Sequence, residues 1–270
     1  MSAGTPFDWS WADVAVPARP VRVPGLRMAG FAYRAPASVD MAMIAHPSVT
    51  LLVELGEGID YDAGGRRERG SVVVGLDPGA LRATARRAGA CLQIRLGPVA
   101  AAAVLGTRAE LGLVPLADLW GREAERLEDR LRAGASWDER FAIATEAVGR
   151  RLEHRTVDPE VAHAWRRTLA ARGRVRVDDL AGETGWSRKR LWSRFRSQLG
   201  ISPKRAARLV RFDHAAHRLA SGRGAAEVAA ATGYADQSHL HREVKAFTGL
   251  TPTALARAPW LAIDDVAWPV

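Results

Sequence analysis

The chain has one cysteine, Cys91, in 270 residues. It can close no internal disulfide and cannot build a zinc site from thiolate pairs, which excludes disulfide-stapled scaffolds and zinc fingers. Cys91 sits in the alternating run Cys91-Leu92-Gln93-Ile94-Arg95-Leu96, where a small buried strand residue is expected rather than a catalytic thiol. Long apolar runs are also missing. Val99 to Leu105, the longest alanine-rich stretch, falls well short of the roughly 18 residues a membrane span needs. Met1 to Pro20 lacks the basic start and apolar centre of a signal peptide, so a cytoplasmic location and no membrane partner are expected. Histidine is scarce as well: His46 is alone before residue 150, whereas a catalytic metal needs a cluster of imidazole and carboxylate ligands. We therefore expect no metal, no cofactor and no enzyme. His46, beside Pro47, reads as a turn residue, and the acidic pairs Glu54/Glu57 and Asp60/Asp62 read as solvated turns.

What is present is an uneven distribution of charge. The net charge is +9. From Arg174 to Ala258 there are 16 Lys and Arg against 7 Asp and Glu, and the remainder balances at 23 against 23. A cationic surplus confined to one segment points to a polyanionic partner for that segment, most simply double-stranded DNA.

The N-terminal third reads as short strands, with Met41–Ala45, Val49–Leu55, Ser71–Leu76 and Cys91–Leu96 separated by Gly, Pro and Asp turns. That pattern predicts a small antiparallel sandwich or barrel. After Pro98 the period becomes helical. Leu116, Leu119, Trp120, Leu127 and Leu131 share one spacing, a helix fits Trp137–Leu152, and another runs from Asp158 or Pro159 to about Ala171. Arg172-Gly173-Arg174 is the expected hinge. The expected division is a strand-rich regulatory region at 1–115, a helical connector at 116–172 with a potential dimer seam, a DNA-binding region at 173–258 and a tail at 259–270.

The last third contains an internal repeat. Leu191, Phe195, Gly200 and Pro203 recur 49 residues later as Leu240, Val244, Gly249 and Pro252, while Leu180-Ala181 and Gly185-Trp186 recur 48 residues later as Val228-Ala229 and Gly233-Tyr234. Each copy reads as a short helix, a glycine turn, a longer helix and a Gly-x-Ser/Thr-Pro restart. This is a helix-turn-helix unit present twice. In the first copy Leu191 and Phe195 form the buried face, leaving Lys189, Trp192, Ser193 and Arg196 outward. In the second, burial of Leu240 and Val244 leaves Gln237, Ser238, His241, Arg242 and Lys245 outward. Cations, hydroxyls and amides suit base edges in the major groove. Between the copies, Ser202-Pro203 opens a long helix whose first turn, with Lys204 and Arg205, can grip a phosphate. Arg188, Lys245 and Thr251 complete the expected phosphate contacts. Two heads on one rigid helix can enter successive major-groove segments about one turn, roughly 34 Å, apart.

These residues carry a resemblance. Asp179-Leu180-Ala181, Gly185-Trp186-Ser187, Gly200-Ile201-Ser202-Pro203, Gly233-Tyr234-Ala235-Asp236-Gln237-Ser238-His239-Leu240 and Phe247-Thr248-Gly249-Leu250-Thr251-Pro252 resemble, in order and spacing, the DNA-binding domain of the AraC/XylS family of bacterial transcription regulators. The resemblance covers Val177 to Ala256. It departs at Val244, where a Phe is common, and at Trp192 on the groove-facing side. It implies two helix-turn-helix units joined by a long helix, with RNA polymerase as a partner. The N-terminal part is similar, more distantly, to the cupin-like barrels with following helices carried by full-length members, which implies effector binding and homodimerisation.

The expected fold class is α+β: a small antiparallel β-barrel with a helical connector, then an all-α domain. The expected function is a sequence-specific transcription regulator whose N-terminal part modulates the reader. A pocket for a small-molecule effector is expected around Phe31, Tyr33, Met41, Met43 and Tyr61. The alternatives are a DNA-binding tail on a DNA-repair enzyme, which a lone Cys91 fits poorly, and an architectural binder indifferent to sequence, which should carry its cations more broadly.

Overall fold

The computed structural model describes residues 11–19, 21, 23–56, 58–106, 112–152, 156–258, 261, 264, 267 and 268; Glu57 of the acidic pairs lies outside them. The strands are β1 (Ala12–Ala15), β2 (Leu26–Arg34), β3 (Val39–Met43), β4 (Val49–Glu54), β5 (Ile59–Ala63), β6 (Arg66–Arg69), β7 (Val72–Val74), β8 (Leu81–Ala85), β9 (Ala88–Leu96) and β10 (Leu113–Pro115). They form two antiparallel sheets, ordered β1-β2-β9-β4-β7-β10 and β3-β8-β5-β6. No closed barrel is formed by the pairings among the described residues.

Period-two alternation makes the larger sheet a middle layer. Leu92, Ile94 and Leu96 of β9, with Val49, Leu51 and Val53 of β4, face the helices. Phe31, Leu52 and Cys91 face the smaller sheet. The register pairs Ile94 with Met28 on one side and Leu51 on the other. A one-residue slip would turn every one of these side chains to the wrong face.

The helical layer is α1 (Pro98–Leu105), α2 (Leu116–Trp120), α3 (Arg122–Ala133), α4 (Trp137–Leu152) and α5 (Pro159–Ala170). The expected helix from Leu116 is broken by Gly121, whose φ of 54° and ψ of −137° are not helical. The Trp137 ring lies on β2 over Gly30, where a Cβ would meet it at 2.2 Å; only a glycine allows that approach.

The last third is helical throughout: α6 (Val177–Thr184), α7 (Arg188–Leu199), α8 (Pro203–Ala220), α9 (Ala225–Thr232), α10 (Gln237–Thr248) and α11 (Pro252–Ala256). Phe195, Phe212 and Phe247 belong to the same continuous core as the helix-facing side of the large sheet. The expected hinge is a clamped turn. Arg172 and Gly173 both have left-handed φ, 51° and 72°, and the Gly173 N–H donates to the Thr168 carbonyl of α5 at 2.9 Å. Gly173 then packs directly on the backbone of α8, which leaves no room for a loose joint.

Candidate nucleic-acid interface and inter-sheet cavity

The repeat is a repeat of caps as well as of core positions. Gly185 and Gly233 end α6 and α9 with left-handed φ of 67° and 81°, and Gly200 and Gly249 end α7 and α10 with 78° and 72°. Ser187 accepts from the Arg190 N–H to start α7, and Asp236 accepts from the His239 N–H to start α10. Ser202 and Thr251 cap α8 and α11 in the same way, each before a proline. A side-chain cap contributes about 1 kcal/mol. The one inserted residue, Ala235, falls in the turn of the second unit, where length is tolerated.

Burial of Leu191, Phe195, Leu240 and Val244 turns the opposite faces of α7 and α10 to solvent. Lys189, Trp192, Ser193 and Arg196 are exposed on α7, and Gln237, Ser238, His241, Arg242 and Lys245 on α10. Trp192 is 46% exposed, an unusual place for an indole unless it serves a partner. Arg196 lies over its ring at 5.3 Å. His241 and Gln237 approach to 3.4 Å through their side-chain nitrogens.

The expected phosphate contacts divide. Lys204 and Thr251 are exposed, and the Ser202 hydroxyl is half-buried as a cap. Arg188 is exposed but paired with Asp178 at 3.0 Å. Arg205 turns the other way: its guanidinium pairs with Asp77 of the β7–β8 loop and lies over the Phe247 ring at 4.1 Å. It ties the first turn of α8 to the strand region. Between the two units an open cleft is lined by Arg174, Arg176, Arg188, Lys204, Arg208 and Arg242. Arg174 and Arg176 escaped sequence reasoning because they precede the repeat, although their isolated charge beside Gly173 was a usable signal.

A buried charge network fixes the units to the long helix. The Glu243 carboxylate of α10, 2% exposed, accepts from Arg208 Nε at 2.7 Å, Arg211 Nη2 at 3.3 Å and the Tyr234 hydroxyl at 3.1 Å. Burial, and then the Glu243 charge, raises the Tyr234 phenol above its ordinary value. Phe212 stacks on Phe247 at 4.8 Å beside it. Glu243 sits in a stretch of polar residues, and only its i+3 spacing from buried Leu240 signalled that it points inward.

A second feature lies between the two sheets. Phe31, Tyr33, Met41, Met43 and Tyr61 all line one cavity of about 130 Å³. Its walls are mainly apolar, with Gln93, Arg95, His46, Ser48 and Thr50 supplying polar groups. Gln93 and Arg95 belong to it because they alternate with Leu92 and Ile94 on β9 and share the face of Cys91. The Cys91 thiol is buried and pushed up to about 12 by that burial and by the Glu54 charge, which leaves it an unreactive neutral group. Among the described residues no cluster of three or more His, Cys, Asp or Glu is placed to hold a metal.

Two residues of the C-terminal segment reach the cavity. Asp264 and Trp268 line it. Arg95 Nη2 donates to Asp264 Oδ1 at 2.8 Å, and the guanidinium lies over the Trp268 ring at 4.1 Å. Asp264 Oδ2 also faces His217 Nε2 of α8 at 3.4 Å, while His217 Nδ1 contacts the Asp213 carbonyl at 2.9 Å. His46 lies in the β3–β4 turn as expected, and its ring reaches Asp213 at 3.6 Å. Sheet, tail and long helix therefore meet at one polar cluster.

This cluster gives a pH signature. The Asp264 hydrogen bond pushes His217 up to about 9. Burial works against Asp264, but the His217 hydrogen bond and the Arg95 charge outweigh it and hold the carboxyl at about 2. Burial lowers His46 and His214 and raises Asp213 to about 6. A base whose folded value is raised stabilises fully below its unfolded value, near 6.5, and loses that contribution as pH rises through about 9. Melting temperature should therefore fall between pH 7 and 9.5, and His217→Gln should remove that part of the fall. A parent slope unchanged by the substitution would break the assignment.

Residues 180–258 match the family described as a helix-turn-helix domain, and the repeat, caps and turn glycines lie within that span. The matched domain is a helix-turn-helix of the AraC type that spans under a third of the chain, and it supports a DNA-binding role in transcription regulation. No curated protein matches the chain. Among solved structures, the chain is similar to ToxT from Vibrio cholerae, at 10% identity over 91% of this chain and 99% of that one, with a TM-score of 0.47. It is also similar to the AraC-like transcriptional activator CuxR, at 14% identity over 68% and 80%, with a TM-score of 0.33. The C-terminal domain of AraT, a response regulator from Geobacillus stearothermophilus, matches at 23% identity over 37% and 86%, with a TM-score of 0.35. Among the described residues no helix is long and apolar enough to cross a membrane.

Proposed function

We propose that the chain is a sequence-specific regulator that reads two successive major-groove segments through α7 and α10, under the control of a small-molecule effector held between the sheets. The observation that carries this reading is the pair of matched, exposed faces on α7 and α10, mounted by duplicated caps on the single helix α8. Lys189, Trp192, Ser193 and Arg196 read one segment, and Gln237, Ser238, His241 and Arg242 the other. Lys204, Arg188, Lys245, Ser202 and Thr251 take phosphates. Arg205 joins them only if its Asp77 pair opens, which would make DNA contact and release from the strand region one event. The Cys91 environment favours this reading over a repair enzyme that needs a nucleophilic thiol. RNA polymerase is the natural partner, and the helical connector at 116–172 is the region for a homodimer seam.

The test is selection of random duplex DNA by the full chain at physiological salt, expected to enrich one motif with two blocks about a turn apart. On that motif Arg242→Ala should cost about 1 to 3 kcal/mol and leave other sequences little changed. Lys204→Ala should weaken all sequences alike and lower the salt slope by about one. If Arg242→Ala weakens every sequence equally, its base contact is wrong. The effector arm is tested separately, by screening small molecules for a shift in the affinity of the full chain for the selected site.

A further inference from the structure

The C-terminal tail enters the cavity as a ligand would. Trp268 and Ala267 belong to the core between the sheets, although their own chain segment follows the DNA-binding helices. Through Trp268 and Asp264 the tail presents Arg95 with a planar apolar ring and a carboxylate at once. With the tail in place the free space is about 130 Å³, below the roughly 300 to 1,000 Å³ that small-molecule sites occupy. A ligand of ordinary size therefore competes with the indole for this space.

Arg95 shows why such a ligand can win. Asp264 accepts from Nη2 alone with Oδ1 and spends Oδ2 on His217. Arg95 Nε stays buried with no hydrogen-bond partner. A buried donor without a partner costs free energy, and a guanidinium is shaped to give two parallel hydrogen bonds to one carboxylate. A free carboxylate that takes both Nε and Nη2 makes the bond that the tail leaves unmade.

We propose that the tail is a tethered stand-in for the effector, and that the effector is a small molecule with a planar apolar body and one carboxylate, bound to Arg95 in place of Asp264 and Trp268. This rests on the reading of the cavity as the effector site. Displacement has a built-in output. Asp264 is also the partner of His217, so the ligand that evicts the tail removes a contact between the strand region and α8, the helix that carries both reading heads. The occupied cavity thus loosens the hold on the reader.

The probe is 2-naphthoate, with neutral 2-naphthamide as its control, titrated calorimetrically into the full chain. One site is expected, with naphthoate at least about tenfold tighter than the amide and the difference abolished in Arg95→Gln. Trp268→Ala should bind naphthoate about tenfold tighter than the parent, because a competitor has gone. Should that variant fold poorly, Asp264→Asn serves in its place, since it weakens the same latch without opening a void. Hydrogen exchange on the parent should show loss of protection at Leu261, Asp264, Ala267 and Trp268 when naphthoate binds. Equal affinity in parent and both variants, with unchanged tail protection, overturns the stand-in while leaving the cavity as a ligand site. Failure of naphthoate to bind even Trp268→Ala overturns the ligand class, and the effector screen then decides separately whether the cavity takes any ligand.

Discussion

Glu243→Ala is expected to destabilise the folded chain by about 3 kcal/mol or more, the usual consequence of deleting one partner from a buried ion pair. Arg208 Nε, Arg211 Nη2 and the Tyr234 hydroxyl all depend on that one carboxylate. Its loss leaves two guanidinium charges facing each other and a phenol donor without an acceptor. The side chains of Arg208 and Arg211 are 35% and 18% exposed, so water offsets part of the penalty and holds it near the lower end of the usual 3 to 5 kcal/mol. Glu243→Gln keeps a carbonyl for one donor and should cost less. The location gives the loss a functional meaning: Arg208 and Arg211 belong to α8 and Glu243 to α10, so the network sets how the second reading head sits on the connecting helix. Urea unfolding of parent and both variants checks the stability order, and a loss under about 1 kcal/mol for Glu243→Ala would remove the network from the list of anchors. In the glutamine variant, binding to the selected two-block site should fall more than binding to random duplex, because only the former depends on the position of α10.

The C-terminal third was legible in the sequence because each of its instructions is local. Glycines at Gly185, Gly200, Gly233 and Gly249, caps at Ser187, Asp236, Ser202 and Thr251, and apolar pairs three or four apart each specify a helix end or a buried face without reference to distant residues. The helix Trp137–Leu152 has the bounds its periodicity predicted. The strand region was legible in kind and incomplete in detail. β6 is Arg-Arg-Glu-Arg at the edge of the smaller sheet, where the side chains pair with carboxylates at the surface and no alternation appears. The β2 segment is apolar on both faces at Ala29 to Phe31, which hides its period. The five residues Phe31, Tyr33, Met41, Met43 and Tyr61 are legible from their chemistry, and alternation on their strands turns them from the two facing sheets into one cavity. The tail's place was illegible, since nothing local to Asp264 or Trp268 says that they meet Arg95, 169 residues earlier than Asp264. Contacts of that kind are set by the packing of whole layers.

Gly173→Ala is expected to cost about 3 kcal/mol or more, although it adds a single methyl group in a turn. Two terms combine. The residue has φ of +72°, and an L side chain there costs about 1 to 2 kcal/mol. The new Cβ would also lie 2.1 Å from the Ala207 carbonyl oxygen and 2.8 Å from the Arg211 nitrogen. Those two atoms are four residues apart in α8, so the methyl group would be driven against a backbone hydrogen bond of the connecting helix, which cannot swing aside as a side chain can. Relief needs the α5–α6 turn to move by about an ångström, and overpacking of this kind typically costs about 1 to 3 kcal/mol. Gly222→Ala isolates the second term: its φ of +82° is similar, but a Cβ there meets nothing within 4 Å, so only the conformational cost applies. The melting temperature of Gly173→Ala should lie below that of Gly222→Ala by about 2 to 12 °C, at roughly 2 to 4 °C per kcal/mol for a chain near this size. Equal losses would mean that the turn yields freely and that Arg172-Gly173-Arg174 is a hinge after all. The expected gap instead makes the turn a fixed joint between α5 and α8, through which a change at His217 or Asp264 can reach the first reading head without being absorbed on the way.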